Sequence, residues 1–201
     1  MGQEGRNPGI PEDVDEKLER AAHHEAGHIV IAAVEELRLR PEGLAVDTRG
    51  GGMACYGKRP DGSDLSLRRI IVATYAGVYA EKRLCDERSY RPPDADRLWQ
   101  FGDWDEAHKR LCEISAESLS NGTADATKAE LQSRSEQLVE QNWLTVKALA
   151  ANLLAKDLEP LKLLKSGDKW SDETTARYLA GHEVVGMLDR YGIAAVCDPD
   201  C

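Results

Sequence analysis

Phenylalanine occurs once in this sequence, and aromatic residues make up only 5% of it. That excludes a core of stacked rings. With 41% hydrophobic against 31% charged residues, the interior has to be aliphatic and alanine-rich, a composition suited to packed helices. Positive charge is short as well. Lys and Arg number 26 against 36 Asp and Glu, a formal net charge of -10, which repels phosphate backbones and acidic lipid surfaces, so nucleic acid is not an expected partner. Long apolar runs are missing: nothing approaches the roughly 18 residues of a membrane span, and no membrane association is expected. The opening MGQEGRNPGIPEDVDE lacks the apolar stretch of a secretion signal and has Arg6 where a myristoylation signal wants Ser or Thr. The five cysteines (Cys55, Cys85, Cys112, Cys197, Cys201) are odd in number and form no CxxC pair. They read as reduced thiols rather than a disulfide frame, which suggests a cytoplasmic protein. No GxxxxGK[ST] occurs in the chain, so ATP-driven work of its own is not expected.

What is present reads as mainly α, in an α+β arrangement. At 201 residues the chain fits one domain with a small appendage. Residues 1–12 are Gly, Pro and charge, a flexible tail. Helical spacing of Val14, Leu18, Ala21, Ala22, Ile29, Ala32, Ala33 and Val34 predicts a first helix from Val14 to about Arg40, with Pro41 to stop it. LAVDT and MACYGK flank RGGG, the pattern of a short β-hairpin with glycines at its turn. A second helix is expected from Leu65 to about Leu84, apolar on most faces and so central. DERSYRPPDADRLWQFG reads as a Pro-rich loop. Beyond it a helix from near Asp103 to about Ser120 is expected, then a long one after NGT to about Leu158. Val139, Trp143, Val146, Ala150 and Leu153 form one stripe of that long helix and mark a packed helical hairpin. After KSGDKWS a last helix is expected from about Asp172 to Tyr191. The expected divisions are thus 1–12, 13–165 as the main domain, and 166–201 as a C-terminal helical appendage and tail.

HHEAGHIVIA, residues 23–32, carries the chemistry. On a helix, His24 and His28 lie one turn apart on the same face and can bring two imidazole nitrogens to one metal ion. Glu25 lies about 100° around the helix from His24, where in H-E-x-x-H it addresses a metal-activated water as general base. Gly27 costs about 0.8–1 kcal/mol against Ala inside a helix, which suggests a close neighbour at that point. His23 fits no such register and reads as a surface neighbour. The extended H-E-x-x-H-x-x-G-x-x-H pattern is excluded, because Ile31 and Val34 stand at its Gly and third His. The third ligand therefore comes from elsewhere, and the residues themselves leave Asp103, Asp105 and Glu81 open. Asp103 with Glu106 three later reads equally well as a helix N-cap with its capping-box partner. His108 and His182 read as ordinary surface or core histidines, and Cys197 with Cys201 as no more than a weak second-metal signal.

HEAGH followed by an apolar run resembles the peptidase domain of the FtsH-type ATP-dependent zinc metalloproteases. LAVDTRGGGMACYG is similar to the strand, Arg-Gly turn and strand that come after the zinc helix in that family. YAGVYAEKRL resembles its Gly-x-x-Ala-Glu helix, FGDWDEAHKRL its Asp-led helix, and LVEQNWLTVKALAANLLAKDLEP its long late helix. The resemblance covers roughly residues 18–165. It implies a zincin-like helical peptidase with Zn2+ on His24, His28 and Asp103, Glu25 as base, and Glu81 behind a ligand, accepting an imidazole N–H. The sequence departs from the pattern at His108, where Thr is usual. On this resemblance the chain is expected to be a zinc endopeptidase acting on flexible polypeptides, with the strand edge from Leu44 to Thr48 pairing with extended substrate. The other expectation is a non-catalytic zinc-binding helical interaction module. A separate ATPase or a second copy of the chain is a possible partner in either case.

Overall fold

In the computed structural model, which describes residues 12–57, 63–90, 102–160 and 175–198, two helices cross at the centre and a small sheet flanks them. Helix α1 spans Glu12–Val34, and α2 spans Asp64–Arg88. Their backbones approach closely at Gly27, where a Cβ would lie 2.6 Å from Cβ of Ala80 and 2.7 Å from the Ala76 carbonyl. Small residues on both helices are what allow this. The approach sets the HEAGH turn of α1 directly against α2. Fourteen α2 residues are buried, among them Ile71, Val72, Ala73, Tyr75 and Ala76, which agrees with a central helix apolar on most faces.

Helix α1 stops earlier than its apolar spacing predicts. Glu36 takes a left-handed conformation (φ 58), its N–H bonds the Ala33 carbonyl, and the Leu37 N–H bonds that of Ala32 at 2.8 Å. This pair of bonds is a Schellman termination, and it is built on a non-glycine residue, so Pro41 is not what ends the helix. Leu37 and Leu39, which continue the apolar pattern, enter the core from beyond the helix; Leu39 lies in strand β1 (Arg38–Asp47).

Strand β1 pairs antiparallel with β2 (Gly52–Gly57), forming the expected hairpin. At its tip Gly50 has φ 83, and the Asp47 carboxylate accepts the Arg49 and Gly51 N–H groups at 2.8 and 2.7 Å. The other side of β1 pairs with β4 (Thr175–Leu179), which also pairs with the two-residue β3 (Glu159–Pro160). The order is β2-β1-β4-β3. Two expectations are corrected here. Residues 44–47 are interior to the sheet, so the Leu44–Thr48 edge expected to take substrate is covered by β4; among the described residues β2 is the open edge on that side. Residues 175–179, expected within the last helix, are a strand, because they pair with Leu44–Asp47 of β1, and Ala176 and Leu179 are buried on its opposite faces. The last helix is the shorter α6 (Gly181–Arg190), and it buries Val184, Met187 and Leu188.

Helix α3 spans Asp103–Cys112, short of Ser120. Two 3-10 turns, Ala116–Ser118 and Ser120–Gly122, come next. They are tied to the start of α2 by Ser115 on Asp64 and by Arg68 on the Ser118 carbonyl and Ser120 hydroxyl. Thr123 then caps α4 (Ala124–Gln141), accepting the Ala126 N–H at 3.1 Å. The expected long helix is broken once, where the Asn142 amide donates to the Leu138 carbonyl at 2.9 Å and α5 (Trp143–Leu154) restarts in a new direction. Helix α4 lies along α2 and α5 along α1, so the stripe Val139, Trp143, Val146, Ala150 and Leu153 packs on the central pair. Residues 1–11 of the expected tail, residues 91–101 of the Pro-rich stretch, and KSGDKWS lie outside the described residues.

Candidate metal centre

His24 and His28 leave the same face of α1 and meet Asp103 from the first turn of α3. Nε2 of His24 is 2.8 Å from Oδ2 of Asp103 and 3.1 Å from Nε2 of His28, which is itself 3.4 Å from the same carboxylate oxygen. Donors held 2.0–2.1 Å from a tetrahedral zinc ion lie about 3.3 Å apart. The observed triangle is that of one face of such a tetrahedron, slightly contracted. These three are the one His, Cys, Asp or Glu grouping among the described residues close enough to share an ion.

The partners behind the imidazoles fix which nitrogen faces inward. Nδ1 of His28 donates to the Ala73 carbonyl at 2.8 Å, and Nδ1 of His24 donates to Oε2 of Glu81 at 3.2 Å. Both acceptors lack a proton to give, so each Nδ1 carries the hydrogen and each Nε2 presents a lone pair. Two lone pairs and a carboxylate oxygen thus converge with no donor among them, an arrangement that calls for a cation. The charge balance agrees. Around the imidazoles stand the carboxylates of Asp103, Glu81 and Glu25, with Arg20 as the guanidinium in contact with one of them. With neutral imidazoles the carboxylates around this group leave it acidic, which suits a cation.

In the metal-free protein, protons fill that role. Burial disfavours the charged form of His24, but hydrogen bonds to Asp103 and Glu81 outweigh it and hold the imidazole well above its ordinary range. Burial acts the same way on His28, where the Asp103 charge leaves a net rise. Burial would raise the Asp103 carboxyl, yet the two histidines hold it far below the usual carboxylate range.

Room for the group comes from two glycines on other elements. A Cβ at Gly77 of α2 would overlap Nε2 of His28 and lie 2.8 Å from Cδ2 of His24. A Cβ at Gly52 of β2 would lie 2.5 Å from Cγ and 2.7 Å from Cδ of Glu25. The Glu25 carboxyl arm therefore rests on the edge strand, beside the imidazole pair. The donor set, its spacing and the Gly77 cradle all fit zinc: two imidazoles that can present neutral Nε2 atoms and one carboxylate, that of Asp103, whose side chain is 32% exposed.

The sequence-derived candidates fall into place unevenly. His24, His28 and Asp103 come together, Glu81 touches His24 from behind, and Glu25 lies within electrostatic reach of both imidazoles. Asp103 is the first residue of α3 and caps nothing; Gly102 holds the cap position, and Glu106 pairs with Arg110 at 2.6 Å. The rival Asp105 is exposed, as are His108 and His182. His23 differs from expectation. It is buried, because α5 covers that side of α1; its Nδ1 donates to the Glu19 carbonyl at 2.8 Å and its ring lies 5.6 Å from that of Trp143. Not foreseen from the sequence are Gly52 as the rest for Glu25, the Ala73 carbonyl, Arg20, and Tyr56, which packs its ring 6.3 Å from His28 and meets Thr74 at 3.3 Å. Helical spacing puts Arg20 one turn before His24, but its partner is on another helix. No protein-family model and no curated protein matches this chain.

Proposed function

We propose that this chain is a zinc-dependent endopeptidase that hydrolyses peptide bonds in flexible or unfolded polypeptides. The observation that carries the reading is the convergence of the His24, His28 and Asp103 donor atoms, both imidazoles locked from behind, with a further carboxylate, Glu25, beside them. The resemblance of HEAGH and its neighbouring segments to FtsH-type peptidases points the same way. A zinc ion on these three residues would supply a Lewis acid that polarises a water and the scissile carbonyl. Glu25 takes the proton of the attacking water and hands it to the leaving amine. Its carboxyl arm is steadied on Gly52, so the base and the strand that would receive substrate are adjacent. An extended peptide adds to the edge of β2, residues 52–57, which is open among the described residues and whose Gly52 lies beside Glu25. Strand addition needs a substrate with free backbone groups, which is why unfolded chains are the expected class and folded proteins should resist, with or without ATP.

The test is zinc content together with hydrolysis of a casein-type unfolded substrate, wild type against Glu25→Gln. We expect about one zinc per chain in both and a loss of at least ~100-fold in hydrolysis in the variant. Zinc bound without cleavage in either protein would favour the interaction-module reading, in which the helices dock to a separate ATPase or another partner. Full activity in metal-free protein of native fold would overturn both.

A further inference from the structure

Arg20 is buried at 5% exposure, one helical turn before His24 on the same face of α1. Taking a guanidinium out of water is costly unless its N–H groups are met. Here they are met in one place. Nε and Nη2 of Arg20 both donate to Oε1 of Glu81, at 2.9 and 2.5 Å, while Nη1 lies 3.7 Å from Glu16. The other Glu81 oxygen, Oε2, receives the His24 Nδ1–H. With Oε1 held by two donors of a rigid fork, the carboxylate keeps only a pivot about that oxygen, which the His24 N–H on Oε2 closes, so Arg20 limits where Oε2 can sit.

We infer that Arg20 is a positioning residue for the metal site: through Glu81 it fixes the His24 ring and tautomer so that Nε2 faces His28 and Asp103. The inference rests on the zinc-ligand reading above but makes a separate claim, that a chain Arg20–Glu81–His24 runs from α1 to α2 and back to α1. Its chemistry requires the planar fork of arginine. A lysine could supply a point charge but would not span the oxygen with two fixed N–H groups. A buried ion pair that served packing alone would leave the ligand geometry as it is.

Zinc affinity by chelator competition, and the His24 tautomer by nitrogen NMR of the metal-free protein in alkaline buffer, test this in full-length wild type, Arg20→Met, Arg20→Lys, Glu81→Ala and Arg20→Met/Glu81→Ala. Arg20→Met should weaken zinc by about 10- to 100-fold, the usual range for loss of a partner behind a metal ligand, and should give a mixture of Nδ1–H and Nε2–H forms at His24. Arg20→Lys should fall between Arg20→Met and wild type in both measurements. In the Glu81→Ala background the Arg20 change should cost almost nothing more, because its route to the site is already cut. The inference is overturned if Arg20→Met keeps wild-type affinity and tautomer, if the two single losses simply add, or if Arg20→Lys equals wild type. Should Arg20→Met not fold, Arg20→Lys and Arg20→Gln decide on the same readouts. If wild type itself binds no zinc, the ligand reading falls, while an unchanged or scrambled His24 tautomer in the variants still decides the role of Arg20.

Discussion

Gly77 and Gly52 separate the two tasks proposed for the site, holding an ion and holding a base. In Gly77→Ala the new Cβ meets Nε2 of His28, so the ring must shift and strain its hydrogen bond to the Ala73 carbonyl. Alanine is favoured over glycine inside a helix by about 0.8–1 kcal/mol, which offsets part of the steric cost. The expected result is a folded protein whose zinc affinity, by chelator competition, falls at least about tenfold. Gly52→Ala should do the reverse, keeping zinc and losing roughly 100-fold in hydrolysis, because it displaces Glu25 and no ligand. Wild-type zinc binding in Gly77→Ala would show that the imidazoles do not converge beside α2. The titrating groups set a pH window for the metal-free protein. His24 and His28 are raised above 6.5, so their contribution is complete below about that pH and fades as pH climbs through their folded values. Asp103 is lowered below 3.8, so its contribution is present above that value and fades on strong acidification. Through this cluster the metal-free protein should gain most stability to urea between about pH 4 and 6.5, offset in part by His23, which burial holds below its ordinary range and which acts in the opposite sense. Zinc affinity should move oppositely and rise with pH, since binding displaces the imidazole protons. If metal-free stability instead peaked at alkaline pH, the histidine–aspartate cluster would not be the group that titrates.

At the scale of elements, the first helix ends on Glu36 in a left-handed conformation that glycine adopts at far lower cost. Its carboxylate pairs with Arg69 at 3.1 Å, but the Glu36 side chain is 63% exposed, and an exposed pair of this kind contributes little. Glu36→Gly should therefore stabilise the protein by about 1 kcal/mol in urea unfolding. A destabilisation of that size would mean the Schellman bonds of Glu36 and Leu37 do not end the helix. This residue also shows why helix ends are harder to read from a sequence than helices. Apolar spacing in α1, α2 and the α4–α5 stripe reports burial: Ala22, Ile29, Ala32 and Ala33, fourteen residues of α2 and the whole stripe are buried, while Leu18, Ala21 and Val34 are half-buried. A turn on Glu36, or the Asn142 amide taking the Leu138 carbonyl, leaves no mark in that spacing. Strand β4 is hidden for a related reason: its five residues gain strand geometry only from pairing with β1, a contact made across more than a hundred positions of sequence. The site is more legible than the fold around it. His24, Glu25 and His28 share one helix and need only its 3.6-residue period, whereas Asp103 and Glu81 come from other elements and Arg20, though on α1, reaches His24 only through Glu81, which spacing alone does not encode.

For the whole molecule, the question is whether the C-terminal segment, expected as an appendage, is separable from the proposed metal centre. Among the described residues no helix is long and apolar enough to cross a membrane. Strand β4 covers the inner edge of β1, and Leu179, Val184, Met187 and Leu188 are all buried. Fully burying side chains of this kind contributes about 1.5–3 kcal/mol each, so these four together amount to roughly 6–12 kcal/mol. Domains of this size are stable by only about 5–15 kcal/mol. Removing residues 166–201 would also bare the Leu44–Asp47 edge, whose unpaired backbone groups invite association with other chains. Strand β1 carries the hairpin whose β2 steadies Glu25, so damage there reaches the site. A chain ending at residue 165 should accordingly lose cooperative unfolding, aggregate, and fail to hold zinc, whereas the full chain should unfold in one transition seen equally by circular dichroism and zinc release. A truncated protein that stays monomeric and binds zinc with wild-type affinity would establish that the segment is dispensable and that the α1–α2 crossing, with α3 supplying Asp103, is sufficient for the centre.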